Sequence, residues 1–332
     1  MTRYALRRLS FLPIIVFFVS ILVFCLLRVL PTEDIADVLG GQNATQEQKE
    51  QIREQYGLKR PIFPVSAGGS APFIELHRHS QYGDWLLDAV RGDFGQTYTS
   101  GKSVREEFQR GFPASFEIVA LSLTFSVIFG VTFGVISAMY RNRLIDYIVR
   151  IFAVMGTSIP EFFLLSLLII IPSYFWRYSM PVGGYVPVYE DPWTNLRLFL
   201  PAALVIGIGA SSALMRLVRT TMLEVLRSDY VRTASAKGLP QHTVIITHAL
   251  KNAGTPIATA IGTGFIAVFA GSVIAEKILS IHGVGLFFFT STQSRDLPVI
   301  QFLAVYTAAV VVVINLLVDL SYAWIDPRVK YS

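Results

Sequence analysis

The sequence predicts an all-α membrane protein with six transmembrane helices and a long extracytoplasmic loop between the first and second spans. Three observations predict it. Of 332 residues, 53% are hydrophobic and only 15% charged, too few charges to clothe a soluble domain of this length. Six stretches reach the roughly 20 apolar residues that a helix needs to cross about 30 Å of hydrocarbon, where backbone groups find no water: 11–30, 116–139, 147–172, 196–217, 256–278 and 299–324. Arginine and lysine concentrate in alternate connections, which fixes an orientation.

Span one follows Arg3, Arg7 and Arg8. Its apolar run exceeds the 7–15 residues usual in a cleaved signal, and Arg28-Val29-Leu30-Pro31 offers no small-residue cleavage site, so it reads as a retained anchor. Arg141, Arg143 and Arg150 surround the turn between spans two and three. Arg216, Arg219, Arg227, Arg232, Lys237 and Lys251 lie between or at the ends of spans four and five, and Arg328 and Lys330 follow span six. By the positive-inside rule these connections and both termini of this multi-pass chain are cytoplasmic. The chain divides into 1–30 (tail and first span), 31–113 (extracytoplasmic loop) and 114–332 (a five-helix core that includes a cytoplasmic loop at 220–254).

Within the long loop, Thr45 with Gln48 forms a capping-box pattern for a helix over 46–56. Gly57 ends that helix and Pro61 stops its continuation. Residues 63–72, rich in Gly, Ser and Pro, read as a linker. The net charge of 28 − 23 = +5 implies no nucleic-acid partner. The lone Cys25 excludes an intrachain disulfide and a multi-cysteine metal site. Gly101-Lys102-Ser103 ends like a phosphate-binding loop, but five residues separate Gly95 from Gly101 where that loop needs four, and no buried strand leads in. No catalytic set stands out, and His77 with His79 is too sparse for a metal site.

The most informative segment is 228–240. Ser228 can cap a helix, Asp229 complements its positive end, Lys237 its negative end, and Gly238 supplies a left-handed terminus. Pro240 then opens a second helix, 241–253, which Gly254 and Pro256 end before span five. The result is a basic cytoplasmic helix–turn–helix. Its small residues Thr233, Ala234, Ser235 and Ala236 permit close approach by a partner.

Asp229-Tyr-Val-Arg-Thr-Ala-Ser-Ala-Lys-Gly-Leu followed by His248-Ala-Leu-Lys-Asn-Ala resembles the EAA loop of ABC importer permeases, in its peptide-transporter form. Further landmarks in order are similar to those of the dipeptide, oligopeptide and nickel permease group: Tyr56-Gly-Leu-Lys-Arg-Pro61, Gly92-Asp-Phe-Gly95, Ser158-Ile-Pro-Glu-Phe162, Glu276, Gly283-Val-Gly285, Arg295-Asp-Leu-Pro298, Asp319 and Asp326-Pro-Arg328. The long external loop resembles that of the first of two permease subunits. Where the general consensus has Glu-Ala-Ala, this chain has Arg232, Thr233 and Ala234, and residues 63–80 look inserted. The resemblance implies a type I importer permease fold and a non-catalytic subunit of an importer for dipeptides or oligopeptides, or for nickel or another small solute. It implies as partners a second permease subunit in a heterodimer, two cytoplasmic ATPase subunits that use ATP and Mg, an extracytoplasmic substrate-binding protein and the lipid bilayer. No cofactor is implied in this chain. It also implies ATPase coupling through Asp229, Tyr230, Arg232, Thr233, Ala234, Lys237, Gly238 and His248.

Pro160 interrupts span three, and Glu161 stands beside it at membrane depth, where a carboxylate is costly and faces a polar cavity or a partner. Two readings stay open: Ser158, Pro160 and Glu161 line the translocation passage, or Glu161 pairs with an arginine or stands nearer the interface. In span five, Ala258 with Gly262, Ala260 with Gly264, and Ala267, Gly271 and Ala275 recur at four-residue spacing, which suits close helix packing in the bundle core or at a subunit contact. An ion-coupled secondary transporter is the rival class; its inverted repeats are not seen here.

Overall fold

A computed structural model describes residues 2–29, 45–55, 59–63, 65–67, 74–76, 79–180 and 182–325. The start of the external loop, Tyr56-Gly-Leu58, His77 and the terminal Asp326-Pro-Arg328 with Lys330 lie outside the described residues, as do the side chains of Arg3, Arg7 and Arg8. The elements in chain order are α1 (Thr2–Val29), α2 (Gln46–Gln55), β1 (Val65–Ala67), β2 (Ile74–Leu76), α3 (Gln81–Val90), α4 (Val104–Met139), α5 (Leu144–Ser158) and α6 (Glu161–Trp176). Then come α7 (Pro192–Val225), α8 (Asp229–Ala236), α9 (Gln241–Ile278), α10 (Val284–Gln293) and α11 (Leu297–Ile325).

Helices α1, α4, α7, α9 and α11 are each long and apolar enough to cross a membrane. The expected third span is instead the pair α5 and α6, bent by 93° at the break between them. The cause is local. The residue before a proline is pushed out of the helical region and the proline has no N–H to give, so Ile159 (ψ 123°) and Pro160 (ψ 134°) are both extended. At about 1.5 Å per residue, neither half alone spans 30 Å of hydrocarbon.

Two compact units divide the described chain. In the larger one, which among the described residues holds 2–10, 111–286 and 311–325, α7 is the central element. One cluster joins Ala114 and Ile118 of α4, Leu165 of α6, Leu198, Phe199, Ala202 and Ile206 of α7, and Val268 and Ala275 of α9. Toward the other end of α7, Leu214, Val218 and Met222 meet Ala138 of α4 and Ile245, Ala249, Ala253 and Ile257 of α9. That second stripe explains a difference from the sequence reading. Gly254 and Pro256 do not end a helix: α9 runs unbroken from Gln241 to Ile278, because the buried face on both sides of Pro256 packs against the same α7. A membrane helix tolerates such a proline where neighbouring helices support it. The irregularity appears upstream, as a π-helical stretch over Val244–Leu250.

The smaller unit holds residues 11–110 and 287–310. Tyr82 of α3 packs edge-on against Phe17 and Phe24 of α1, and its hydroxyl lies 2.8 Å from Ser20 Oγ. Phe302 of α11 stacks 4.1 Å from Phe94 and meets Phe108 of α4 at 5.1 Å. The loop is thus seated on α1 and on the first turns of α11. The expected capping box forms: Thr45 N donates to Gln48 Oε1 at 2.9 Å and Gln48 N to Thr45 Oγ1 at 3.3 Å. The stretch 63–72 is more than a linker, since Val65–Ala67 pairs antiparallel with Ile74–Leu76.

Candidate functional site

Helix α8 is built to present one face. Val231 (4% exposed) and Ala234 (8%) point inward and pack with Val244 of α9 and with Val225 and Leu226 at the end of α7. Asp229, Tyr230, Arg232, Thr233, Lys237 and Gly238 are exposed, and Tyr230 leaves 45% of its surface open. The three-residue step from Val231 to Ala234 makes the separation, since residues three apart share a helix face. Of the eight residues the resemblance marks, Ala234 therefore belongs to the inner face, and His248 is half-buried on the π-helical stretch.

The ends of α8 differ in how well they were anticipated. Gly238 has φ +80°, the left-handed conformation that a glycine adopts without Cβ strain. An added Cβ there would meet nothing within 4 Å. Ser228 occupies the N-cap position but gives α8 no side-chain cap; its hydroxyl donates back to Val225 O instead. The backbone turns so tightly after α7 that this carbonyl is the nearer partner.

At the α5–α6 break, Ser158 and Pro160 are exposed and Glu161 is half-buried. Among the described residues no arginine pairs with Glu161: its Oε1 is enclosed and accepts no hydrogen bond from them. The carboxylate lies against Gly271 of α9, where an added Cβ would come within 2.6 Å of Oε1. The small-residue rows of α9 divide accordingly. Gly271 makes room for Glu161, Gly262 for Val318 of α11, and Gly264 faces open space.

Three buried carboxylates were not singled out by sequence reasoning as sites: Asp146, Glu276 and, in the smaller unit, Asp296. Glu276, wholly buried near the end of α9, receives Leu286 N of α10 at 2.8 Å. Gly283 and Gly285 flank it so closely that a Cβ on either would collide with the carboxylate, which gives the Gly-Val-Gly landmark its physical reason. Asp146, also 0% exposed, is gripped by Arg219 of α7, with Nε to Oδ1 and Nη2 to Oδ2 both 2.8 Å. Ser137 Oγ and Asn142 N complete its shell at 2.6 and 2.9 Å. The available signal was a single acid, Asp146, within a connection otherwise full of arginine.

Residues 130–331 match the family described as binding-protein-dependent transport system inner membrane component, and residues 1–119 match the N-terminal part of such membrane components. A probable peptide ABC transporter permease protein, y4tP, of Sinorhizobium fredii (strain NBRC 101917 / NGR234) is 35% identical over 330 residues, covering 99% of each chain. The dipeptide transport system permease protein DppB of Bacillus subtilis (strain 168) is 33% identical over 332 residues, 99% of this chain and 98% of its own. The glutathione transport system permease protein GsiC of Escherichia coli (strain K12) is 32% identical over 332 residues, the full length of both. A two-faced hairpin helix between membrane-length helices, in a chain matched from end to end, has one family reading: this chain belongs to the inner-membrane components of binding-protein-dependent transport systems.

Proposed function

We propose that the chain is the membrane-spanning permease of an ATP-driven importer for dipeptides or oligopeptides delivered by an external binding protein. The observation that carries this reading is α8. It is a short helix with its inner face locked to α7 and α9 and its charged outer face free, the form expected of an element pushed by a separate motor. Two cytoplasmic ATPase subunits, using ATP and Mg, would grip that face, and a second permease would complete a heterodimer around the passage. Both termini and α8 then lie on the cytoplasmic side, in keeping with the arginine distribution. The peptide class is supported by relatives named for peptide, dipeptide and glutathione transport.

Alternating access requires a stiff connection with two arrangements. Displacement of α8 passes into α9 through its first turns and into α7 through Val225 and Leu226. Ser158, Pro160 and Glu161 line the passage in this reading, supported by the unpaired Glu161 oxygen at a break in the helix. A buried acceptor without a donor is costly, and a substrate ammonium or water in a passage would relieve it.

The test is reconstitution of the chain in liposomes with its second permease, its ATPase subunits and the binding protein. ATP-dependent uptake of a labelled dipeptide, together with cross-linking of a cysteine at Tyr230 to an ATPase subunit, is the expected result. Uptake driven by an ion gradient without ATP would replace the reading with a secondary transporter. Uptake of nickel and not peptide would change the substrate class alone.

A further inference from the structure

We infer that the Asp146–Arg219 pair is the joint through which movement of the α8 hairpin reaches the bend at Glu161. Both are then positioning residues of the transport cycle, a reading that rests on the proposed function above. The pair ties three elements. Asp146 stands in the first turn of α5 and receives hydrogen bonds from Ser137 at the end of α4, from the Asn142 amide in the intervening turn and twice from Arg219 of α7. Asn142 takes the left-handed conformation, φ 60°, which turns its N–H toward the carboxylate. A guanidinium that meets a carboxylate through two parallel bonds fixes orientation as well as distance, so rotation or translation of α7 at this level carries the first turn of α5 with it.

Each side of the joint leads to a part of the mechanism. Arg219 lies within the last two turns of α7, just before Val225 and Leu226, on which the inner face of α8 is seated. On the other side, α5 is uninterrupted from Asp146 to Ser158 and is followed at once by the 93° break and Glu161. A helix of that length, about 20 Å, is a stiff lever. Its other ties to α7 include Val149 and Ala153 against Met215 and Gly156 against the Ser212 hydroxyl, none of them charged. Leu144, Ile148, Ile151 and Phe152 of α5 are exposed, and Ile148 and Phe152 border a cavity shared with Ile208 and Met215 of α7. Directional grip on α5 therefore comes from the charged pair at its first turn, while the apolar contacts allow sliding.

The test uses the complete reconstituted transporter with Asp146→Asn and Arg219→Lys. It reads the amount of permease incorporated and the ATP hydrolysed per peptide imported. Asp146→Asn removes the charge, and Arg219→Lys keeps the charge but loses the two-pronged grip. The expected result is incorporation of both variants with about tenfold more ATP consumed per peptide for Asp146→Asn and an intermediate rise for Arg219→Lys. An unchanged ratio in both variants would overturn the inference, including the case where hydrolysis and uptake fall in parallel. So would loss of both variants from the membrane with normal coupling in the residual pool, which assigns the pair to folding alone. If the unsubstituted transporter imports nothing with ATP, the proposed function fails instead, so the two failures are distinguishable.

Discussion

Ser115 Oγ on α4 donates a 2.6 Å hydrogen bond to Glu276 Oε1 on α9, and the same hydroxyl accepts from Val284 N at 2.7 Å. One side chain thus closes the circuit between a buried carboxylate and the start of α10. Ser115→Ala leaves both the Glu276 oxygen and the Val284 amide short of a partner, at a cost of about 2 kcal/mol. Gly283→Ala drives a methyl into the Glu276 carboxyl group, where overpacking costs about 1–3 kcal/mol. Thermal unfolding in detergent should show both variants less stable, with Gly264→Ala, whose Cβ meets nothing within 4 Å, as the unaffected control.

Gly238→Asp should separate folding from coupling. Nothing within 4 Å of the site obstructs a Cβ, and aspartate is among the residues that tolerate the left-handed region, so the chain should still insert. The added carboxylate alters the exposed basic face beside Lys237. Uptake should fall with the permease present in the membrane, and copurification of the ATPase should weaken. Normal uptake with normal copurification would count against a coupling role for α8.

Glu161 gives a paired prediction. Glu161→Gln should change uptake with assembly intact if the side chain borders the passage. Gly271→Ala displaces the same carboxylate, because the new methyl falls 2.6 Å from Oε1, the movable end of a flexible side chain. Its effect on uptake should match that of Glu161→Gln, at little cost to stability. Unaltered transport in both would remove Glu161 from the passage.

Asp296 should make the smaller unit sensitive to pH. Its Oδ2 receives Tyr98 N at 2.8 Å and Thr99 N at 3.3 Å, yet burial outweighs these bonds and pushes its carboxyl above the ordinary value of 3.8. The folded state then holds the proton more tightly than the unfolded state. Stability is therefore greatest below the ordinary carboxylate value and declines as pH rises from there through the raised folded value. Asp296→Asn keeps an acceptor for both amides and removes the titration. Melting temperatures between about pH 4 and 7 should show the parent losing ground to the variant as pH increases; parallel curves would exclude Asp296 as the source.

Reading the chain alone succeeded where the cause is local. Apolar runs of membrane length located α1, α4, α7, α9 and α11, the left-handed turn at Gly238 followed from its residue type, and the Thr45–Gln48 box from its spacing. Pro160 announced an interruption because a proline restricts its own neighbours. Pro256 misled for the complementary reason: whether a proline ends a helix depends on what packs around it, and the stripe from Ile245 to Ile257 against α7 kept α9 whole.

What the sequence by itself determined is the number and placement of apolar segments, the uneven distribution of arginine and lysine between them and the outline of the hairpin, all set by short-range backbone preferences and by transfer of side chains out of water. The tertiary structure alone decided the unpaired state of the Glu161 oxygen and the partners of Asp146 and Glu276. Arg219 lies 73 residues from Asp146 and Ser115 lies 161 from Glu276. A buried charge is matched by whichever donor the packing of distant helices delivers, and no periodicity along the chain encodes that choice.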